Sequence, residues 1–460
     1  MSNSLNGVNA KSKGTLALSE SAPLRYITFA ALYVAQGIPE GLTFFAIPAW
    51  LAMNGVDAGT IGGYLAIILL PWSFKLFAGP LMDRYSYLPM GKRRPWVVFG
   101  QLGLTVSFLS MVLIPDPLNN ITMLSVMGFT VSFFGAFQDV ATDGMAVDII
   151  PVGQQAKANG LMWGAKTLGT SASLAAGTWL INNMGFPYAV TALSVTVFLI
   201  MLLPLLLRER PGEKRFPWEG GLPSKEALAM KVETWSEILF TLKNAFMLRT
   251  SLALALMGFL FCIGIGFMDA LLPIYTIQEL GWTNDAYSNI LASVSTAGAF
   301  LAMAVAGWLV DRIGKVRILN SYLILMVAIP IIVALTRDHW MVSGYGEWLI
   351  AGYETLYTFI MVAYLATSMN LCWKRVAATQ FTLYMAIGNM GRAVGSSLLG
   401  PARTHFDWPG TFLVYAVFMV LALVTVQAFQ LMAHQRSLDR LEADHTANLP
   451  PDLGGPLVPR

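Results

Sequence analysis

The chain has 460 residues, 56% of them hydrophobic and 12% charged, with a formal net charge of +3. A soluble domain carries about 25% charged residues, so this composition excludes an ordinary water-soluble fold. The small net charge provides no nucleic-acid surface, and two cysteines inside apolar segments provide no disulfide framework.

The apolar residues fall in long runs. Crossing a bilayer as a helix takes about 20 residues, and twelve runs of that order follow along the chain. They cover 24–50, 58–82, 96–115, 119–149, 158–183, 186–207, 248–278, 284–309, 317–336, 343–370, 375–402 and 406–434. Gly, Ala and Pro within them read as close-packed helices rather than barrel strands. The expected architecture is an all-α membrane protein of twelve transmembrane helices in two pseudo-symmetric six-helix bundles. Residues 1–23 read as a polar tail without a signal-peptide core. Residues 24–207 form the first bundle, 208–247 a charged linker and 248–434 the second bundle. The linker contains "RPGEKRFPWEGGLPSKE" and ends in a short amphipathic helix near "KVETWSEILFTLK". Residues 435–460 read as a second tail, ending in "PLVPR", which resembles the remnant of a cleaved tag.

Alternate loops differ in basic content. One side would carry Lys11, Lys13, Arg25, Arg84, Lys92 to Arg94, Lys157, Arg312, Lys315, Arg317, Lys374, Arg375, Arg436 and Arg440. The other carries Arg337 and Arg403. Basic loops stay in the cytoplasm, so both termini are expected there.

A short signal occurs twice. "GPLMDRY" at 79–85 is followed by "GKRR" at 91–94, and "GWLVDRIGKVR" stands at 307–317. Both copies fall in the turn between the second and third helices of their half. Gly79 and Gly307 allow close backbone approach. Asp83 and Asp311 stand at helix ends, where a carboxylate can face the positive N-terminus of a neighbouring helix. Arg84 and Arg312 would hold each turn at the surface. Repeated halves belong to transporters that expose a midplane site to each side in turn.

The doubled signal resembles the loop motif of the major facilitator superfamily. That resemblance implies a gate latch made of Asp83, Arg84, Asp311 and Arg312, with Asp148 beside the first copy. The first half is similar to the peptide/acetyl-CoA transporter group, most of all to AmpG-type muropeptide permeases. The matching stretches are "GIPEGLTFFAIPAWLAMNGVDAGTIG", "FKLFAGPLMDRY", "GKRRPW", "QDVATDGMAVDIIP" and "GAKTLG", then "AATQF" and "GNMGRAVGSSLLGP" in the eleventh helix. There are departures. Glu40 follows "GIP" where a small or apolar residue is expected, and Ala146 stands where those permeases tend to carry a basic residue. "DGMA" leans toward acetyl-CoA carriers. These positions bear on the substrate rather than the architecture.

Away from their ends, the runs contain the charged residues Glu40, Lys75, Asp139, Asp143, Lys166, Asp269, Glu354 and Arg392, with Asp148 at an inner end. An ionised group at the bilayer centre costs about 2.5–3.5 kcal/mol, so these should face a wet chamber or one another. Lys75 lies about 12 Å along its helix from Asp83. Lys166, Asp139 and Asp143 count to a similar depth. Asp139 and Asp143 share a helix face at i, i+4, and Glu40 falls near midplane on a helix weakened by Gly37, Pro39 and Gly41. One reading is a purely structural ion-pair network. The other assigns Lys75, Lys166, Arg392, Gln138 and Glu40 to substrate, and Asp139, Asp143 and Glu40 to proton coupling. Arg392 has two open readings, substrate binding or pairing with Asp269. Gln36, Gln380 and Asn370 are further hydrogen-bonding candidates, and Tyr33, Trp72, Trp163, Tyr275 and Tyr384 are candidate lining aromatics.

No phosphate-binding Gly-rich loop occurs, and the four histidines have no metal-ligand spacing. The expectation is a secondary active transporter, most simply proton-driven, and not an enzyme. It would need no cofactor and would work as a monomer among lipids in the bacterial inner membrane. The resemblance implies import of a peptidoglycan-derived muropeptide. Alternatives are another anionic solute, such as acetyl-CoA, an acyl-CoA or a siderophore. A receptor or enzyme on the same scaffold has no catalytic constellation to support it.

Overall fold

Ser21 starts the first helix, its hydroxyl accepting from the backbone N–H of Leu24 at 3.4 Å, as an N-cap does. The computed structural model describes residues 17–224, 242–373 and 376–447. Helix α1 runs Ala22–Glu40, continues as a π-helical segment Gly41–Ala46 and ends with Ile47–Met53. Pro39 and Pro48 lack the N–H that a regular ladder needs, which accounts for a break here. Helix α2 is similarly divided into Ala58–Leu69, a 3-10 segment Leu70–Phe74 that contains Pro71, and Lys75–Arg84. Asp57 caps it through Thr60 N–H at 3.0 Å.

The first bundle continues with α3 (Arg94–Ser110), α4 (Ile121–Ile149), α5 (Val152–Met184) and α6 (Phe186–Leu206). The second contains α7 (Arg249–Ile274, then a π-helical Tyr275–Glu279), α8 (Asn284–Ile313), α9 (Lys315–Leu335), α10 (Tyr345–Leu371), α11 (Ala377–His405) and α12 (Trp408–Val426). Ten of these helices meet both the length and the apolarity needed to cross a membrane. Helices α5 and α11 are as long but more polar, as befits helices that face the interior.

The halves repeat one packing scheme. In the first, α1 lies on α5, where a Cβ at Gly37 would overlap the Lys166 carbonyl and one at Gly41 the Thr170 carbonyl. In the second, α7 lies on α11, where a Cβ at Gly266 would overlap the Arg392 carbonyl. Small residues permit these separations because lipid supplies no hydrophobic drive between helices. The repeated turns also match in backbone. Gly91 has φ 98° and Gly314 φ 94°, a region that L side chains rarely adopt.

Two segments differ from expectation. The start of the linker is not a loose connector. Ala17 and Arg208 form a β-bridge, and Ser19 N–H donates to Glu209 O at 3.1 Å. Glu209 is fully buried. It accepts from the Arg93 and Arg94 backbone N–H groups, each at 3.1 Å, and pairs with Arg210 at 2.5 Å. Arg94, also fully buried, donates to the carbonyls of Pro204, Leu205, Lys214 and Arg215. The second difference lies beyond α12, which ends at Val426 rather than near 434. There the chain turns, the Gln427 side chain donating to Asn320 Oδ1 at 2.7 Å and the Gln430 backbone N–H to Thr250 Oγ1 at 3.3 Å. A further helix, α13 (Leu431–Ala447), then lies against the second bundle. The amphipathic helix expected near "KVETWSEILFTLK" falls almost wholly outside the described residues.

Candidate functional site

The intramembrane charges of the first bundle converge. Lys75 of α2 forms an ion pair with Asp139 of α4. Lys166 of α5 lies 2.8 Å from Glu40 Oε1 of α1. Gln36 donates to Asp139 Oδ1 at 2.6 Å and to Gln138 Oε1 at 3.3 Å. Tyr33 donates its hydroxyl to Asp143. One ring gathers both lysines: the ammonium of Lys75 lies 4.3 Å, and that of Lys166 4.9 Å, from the centroid of Trp72. Trp163 lies 5.6 Å from the Lys166 ammonium. Cations over aromatic faces are attracted by the ring quadrupole.

The two carboxylates on α4 are not equivalent. Asp139 is buried with a lysine partner. Asp143, one turn along, is exposed, and among the described residues it has no cationic partner within ion-pair distance. The second bundle contributes the Arg392–Asp269 pair at 2.5 Å, so the pairing alternative for Arg392 is realised. Its guanidinium lies 5.9 Å from the Phe44 ring of α1, and Phe44 meets Trp72 edge-on at 6.4 Å. Glu354 accepts from Ser295 at 3.3 Å.

Several candidates lie elsewhere. Gln138 is fully buried and donates to Leu32 O at 3.4 Å and Thr142 Oγ1 at 3.1 Å. It fastens helices together and does not present itself to a solute, which corrects the expected binding role. Tyr275 is buried among Trp340, Trp408 and Phe412. Tyr384 and Gln380 bond each other inside the second bundle at 3.0 Å. Neither tyrosine lines a chamber.

The bundles meet away from the repeated turns. Asn182 and Asn284 exchange amide hydrogen bonds at 2.9 and 3.0 Å. Asn182 also donates to Asp285 at 2.6 Å, and Thr178 meets Ser288 at 2.8 Å. Gln278 donates to the Ala52 and Val56 carbonyls, each at 3.0 Å. A Cβ at Gly62 would overlap the Ser396 carbonyl, so α2 and α11 touch backbone to backbone at this far end. At the turn end, Arg84 and Arg312 are exposed and lie near their neighbours Tyr85 and Trp308. Asp148 pairs with Arg93 at 3.4 Å, tying it to the basic residues after the first copy. The side chains of Asp83 and Asp311 lie outside the described residues.

The site therefore has paired cations, one exposed carboxylate and aromatic walls. Among the described residues, no group of His, Cys, Asp and Glu has a metal-holding arrangement. Sequence reasoning missed Trp72 as the meeting point of two lysines. The spacing of Trp72 and Lys75, about one turn apart, was its only visible signal.

The chain matches the Major Facilitator Superfamily family over residues 29–396. Among curated proteins, it is 24% identical over 389 residues to "Anhydromuropeptide permease" of Escherichia coli strain K12, covering 83% of this chain and 75% of that protein. It is 22% identical over 415 residues to "Putative transporter AmpG 4" of Rickettsia conorii, covering 85% of this chain and 93% of that protein. Among solved structures it resembles the nucleoside transporter NupG, with TM-score 0.66, 12% identity and coverage of 88% of this chain and 99% of that one. A POT family transporter in complex with 5-aminolevulinic acid gives TM-score 0.65 at 13% identity, covering 87% of this chain and 94% of that one. These structural likenesses concern the fold alone. By fold, family and relatives, the chain belongs to the Major Facilitator Superfamily and is a membrane transporter, not an enzyme.

Proposed function

We propose that this transporter is proton-coupled and carries a large polar or anionic solute inward across the bacterial inner membrane. A peptidoglycan-derived muropeptide is the favoured solute, in line with the name of the Escherichia coli relative. Both termini lie in the cytoplasm on this reading, following the basic loops. The turn end then faces the cytoplasm. The contacts of Asn182, Asn284 and Gln278 at the far end support reading this state as the one open to the cytoplasm. The chain acts as a monomer.

The observation that carries the coupling is the division of labour on α4. Asp139 is fixed by Lys75 and Gln36. Asp143 is exposed, and among the described residues it is held only by a phenol hydroxyl. A carboxylate that exchanges its proton must reach water in one state and be sealed off in the other. The exposure of Asp143 supports the first condition, and rocking of the bundles would supply the second. Lys75, Lys166 and Arg392 give the chamber its affinity for acidic groups, and Asp148 with the repeated turns serves the gate.

Reconstitution tests this reading. Liposomes holding the protein are offered labelled anhydromuropeptide, acetyl-CoA and a siderophore, with and without an imposed pH gradient. Gradient-stimulated accumulation of the muropeptide is expected. Accumulation of acetyl-CoA or the siderophore instead reassigns the substrate, and accumulation of none rejects the proposal.

A further inference from the structure

The cations of the chamber are already occupied. Lys75 is held by Asp139, Lys166 by Glu40 and Arg392 by Asp269. Two further carboxylates, Asp143 and Glu354, bond to hydroxyl groups. Each cation that could receive an acidic group thus already holds a carboxylate. An acidic solute therefore enters only by exchange, which rests on the reading of an anion carrier given above.

One pair is built for exchange. Glu40 is the last residue of the regular part of α1, immediately before its π-helical segment begins at Gly41. Its partner Lys166 lies against Trp72. Trp72 is 7% exposed, yet among the described residues its indole nitrogen has no hydrogen-bond partner. A buried donor without an acceptor is destabilising and calls for an explanation. An acceptor that arrives with the solute supplies one. The same residue reaches the opposite bundle, because its carbonyl accepts from Asn389 of α11 at 3.1 Å.

We propose that Glu40 is a resident stand-in for an acidic group of the solute. The incoming carboxylate or phosphate takes its place on Lys166 and accepts from the Trp72 indole N–H, and the released Glu40 carboxylate takes up a proton. One singly charged acidic group and one proton arrive together, and the net charge of the chamber is unchanged. Asp139 and Asp143 from α4, Lys75 from α2, Tyr33 from α1 and, beyond Phe44, Arg392 from α11 surround the pair. Binding of anion and proton is then mutually strengthening, as linkage requires.

The test uses inorganic phosphate, a probe that presupposes no particular solute, on the purified full chain at constant ionic strength set with chloride. Glu40→Gln leaves Lys166 without its carboxylate. At pH 8 its melting temperature is expected to rise by roughly 3 °C at saturating phosphate, while the wild-type protein does not respond. At pH 5.5 the wild type gains part of that response. Adding Lys166→Gln to Glu40→Gln abolishes it. Adding Trp72→Phe, which keeps a ring but removes the N–H, weakens phosphate binding about tenfold. Where Glu40→Gln cannot be purified, Glu40→Asp gives a smaller response of the same sign. The inference is overturned if phosphate stabilises the Glu40 variant no more than wild type, or if the response survives loss of Lys166. Absence of solute uptake with the phosphate response intact refutes the muropeptide reading and leaves the seat standing.

Discussion

The two halves share a packing scheme and a turn sequence, yet they place their polar groups differently. In the first half, the turn at Gly91 is covered: Glu209 lies against it and Arg93, Arg94 and Asp148 are bonded around it. In the second, a Cβ at Gly314 would meet open space. The chain that leaves α6 folds back over its own bundle's turn. The chain that leaves α12 instead forms α13, which lies near the α10–α11 connection through His434 to Leu371 O at 2.9 Å and Trp373 to Glu442 at 2.8 Å. The same contrast holds within the membrane. The first half pairs Lys75 and Lys166 with two carboxylates and leaves Asp143 exposed, while the second holds one pair and Glu354. A repeated sequence thus sets the turn's backbone, while its neighbours come from unrepeated chain.

The sharpest way to break this comparison is to neutralise one carboxylate in each half. Asp143→Asn is expected to reduce gradient-driven uptake to background while counterflow exchange survives. Glu354→Gln is expected to keep most of the gradient-driven uptake. Equal losses in the two liposome assays would erase the asymmetry. The next effect is structural. Glu209→Ala removes a buried acceptor of two backbone N–H groups and leaves Arg210 unpaired. It should cost about 3–5 kcal/mol, read as a lower melting temperature of the purified protein.

A smaller effect compares the turns directly. Gly91→Ala and Gly314→Ala each impose strain of about 1–3 kcal/mol from positive φ. The first adds an overlap with Glu209 worth about 1–3 kcal/mol more. Similar melting temperatures for the two variants would show that the cover contributes nothing. The smallest effect is in pH. Burial, with Glu209 nearby, raises the Glu213 carboxyl to about 7. A raised carboxyl stabilises the fold when protonated. Its contribution is present below the ordinary glutamate range and is lost as pH rises through about 7. Amide exchange at Arg210, whose N–H donates to Glu213 at 2.9 Å, should quicken over that window in the wild type and become less pH-dependent in Glu213→Gln.

Much of this was legible in the residues, for identifiable reasons. Bilayer thickness fixes helix length, so apolar runs locate the helices. Helical rise fixes depth, so counting from the repeated turns brings Lys75, Asp139, Asp143 and Lys166 to one level. Rotation about each helix is not fixed by counting. Lys166 faces Glu40 rather than α4 because Gly37 and Gly41 let α1 lie on α5. Gln138, one residue from Asp139, turns into the helix contacts instead of the chamber. The Arg94–Glu209 knot was hidden for another reason. A stretch rich in Lys, Glu, Pro and Gly reads as solvated chain, and nothing local to it announces that a buried arginine awaits two of its carbonyls, those of Lys214 and Arg215.

The bridge between Ala17 and Arg208 has a consequence for biosynthesis. Ala17 has no β-partner in the nascent polypeptide until the sixth membrane helix has been made. Once Arg208 emerges, its pairing with Ala17 closes the first half into a finished unit while the second is still untranslated. Truncation ahead of residue 208 should therefore leave a protease-sensitive leading end, and truncation just beyond the Glu209–Arg215 segment a protected one.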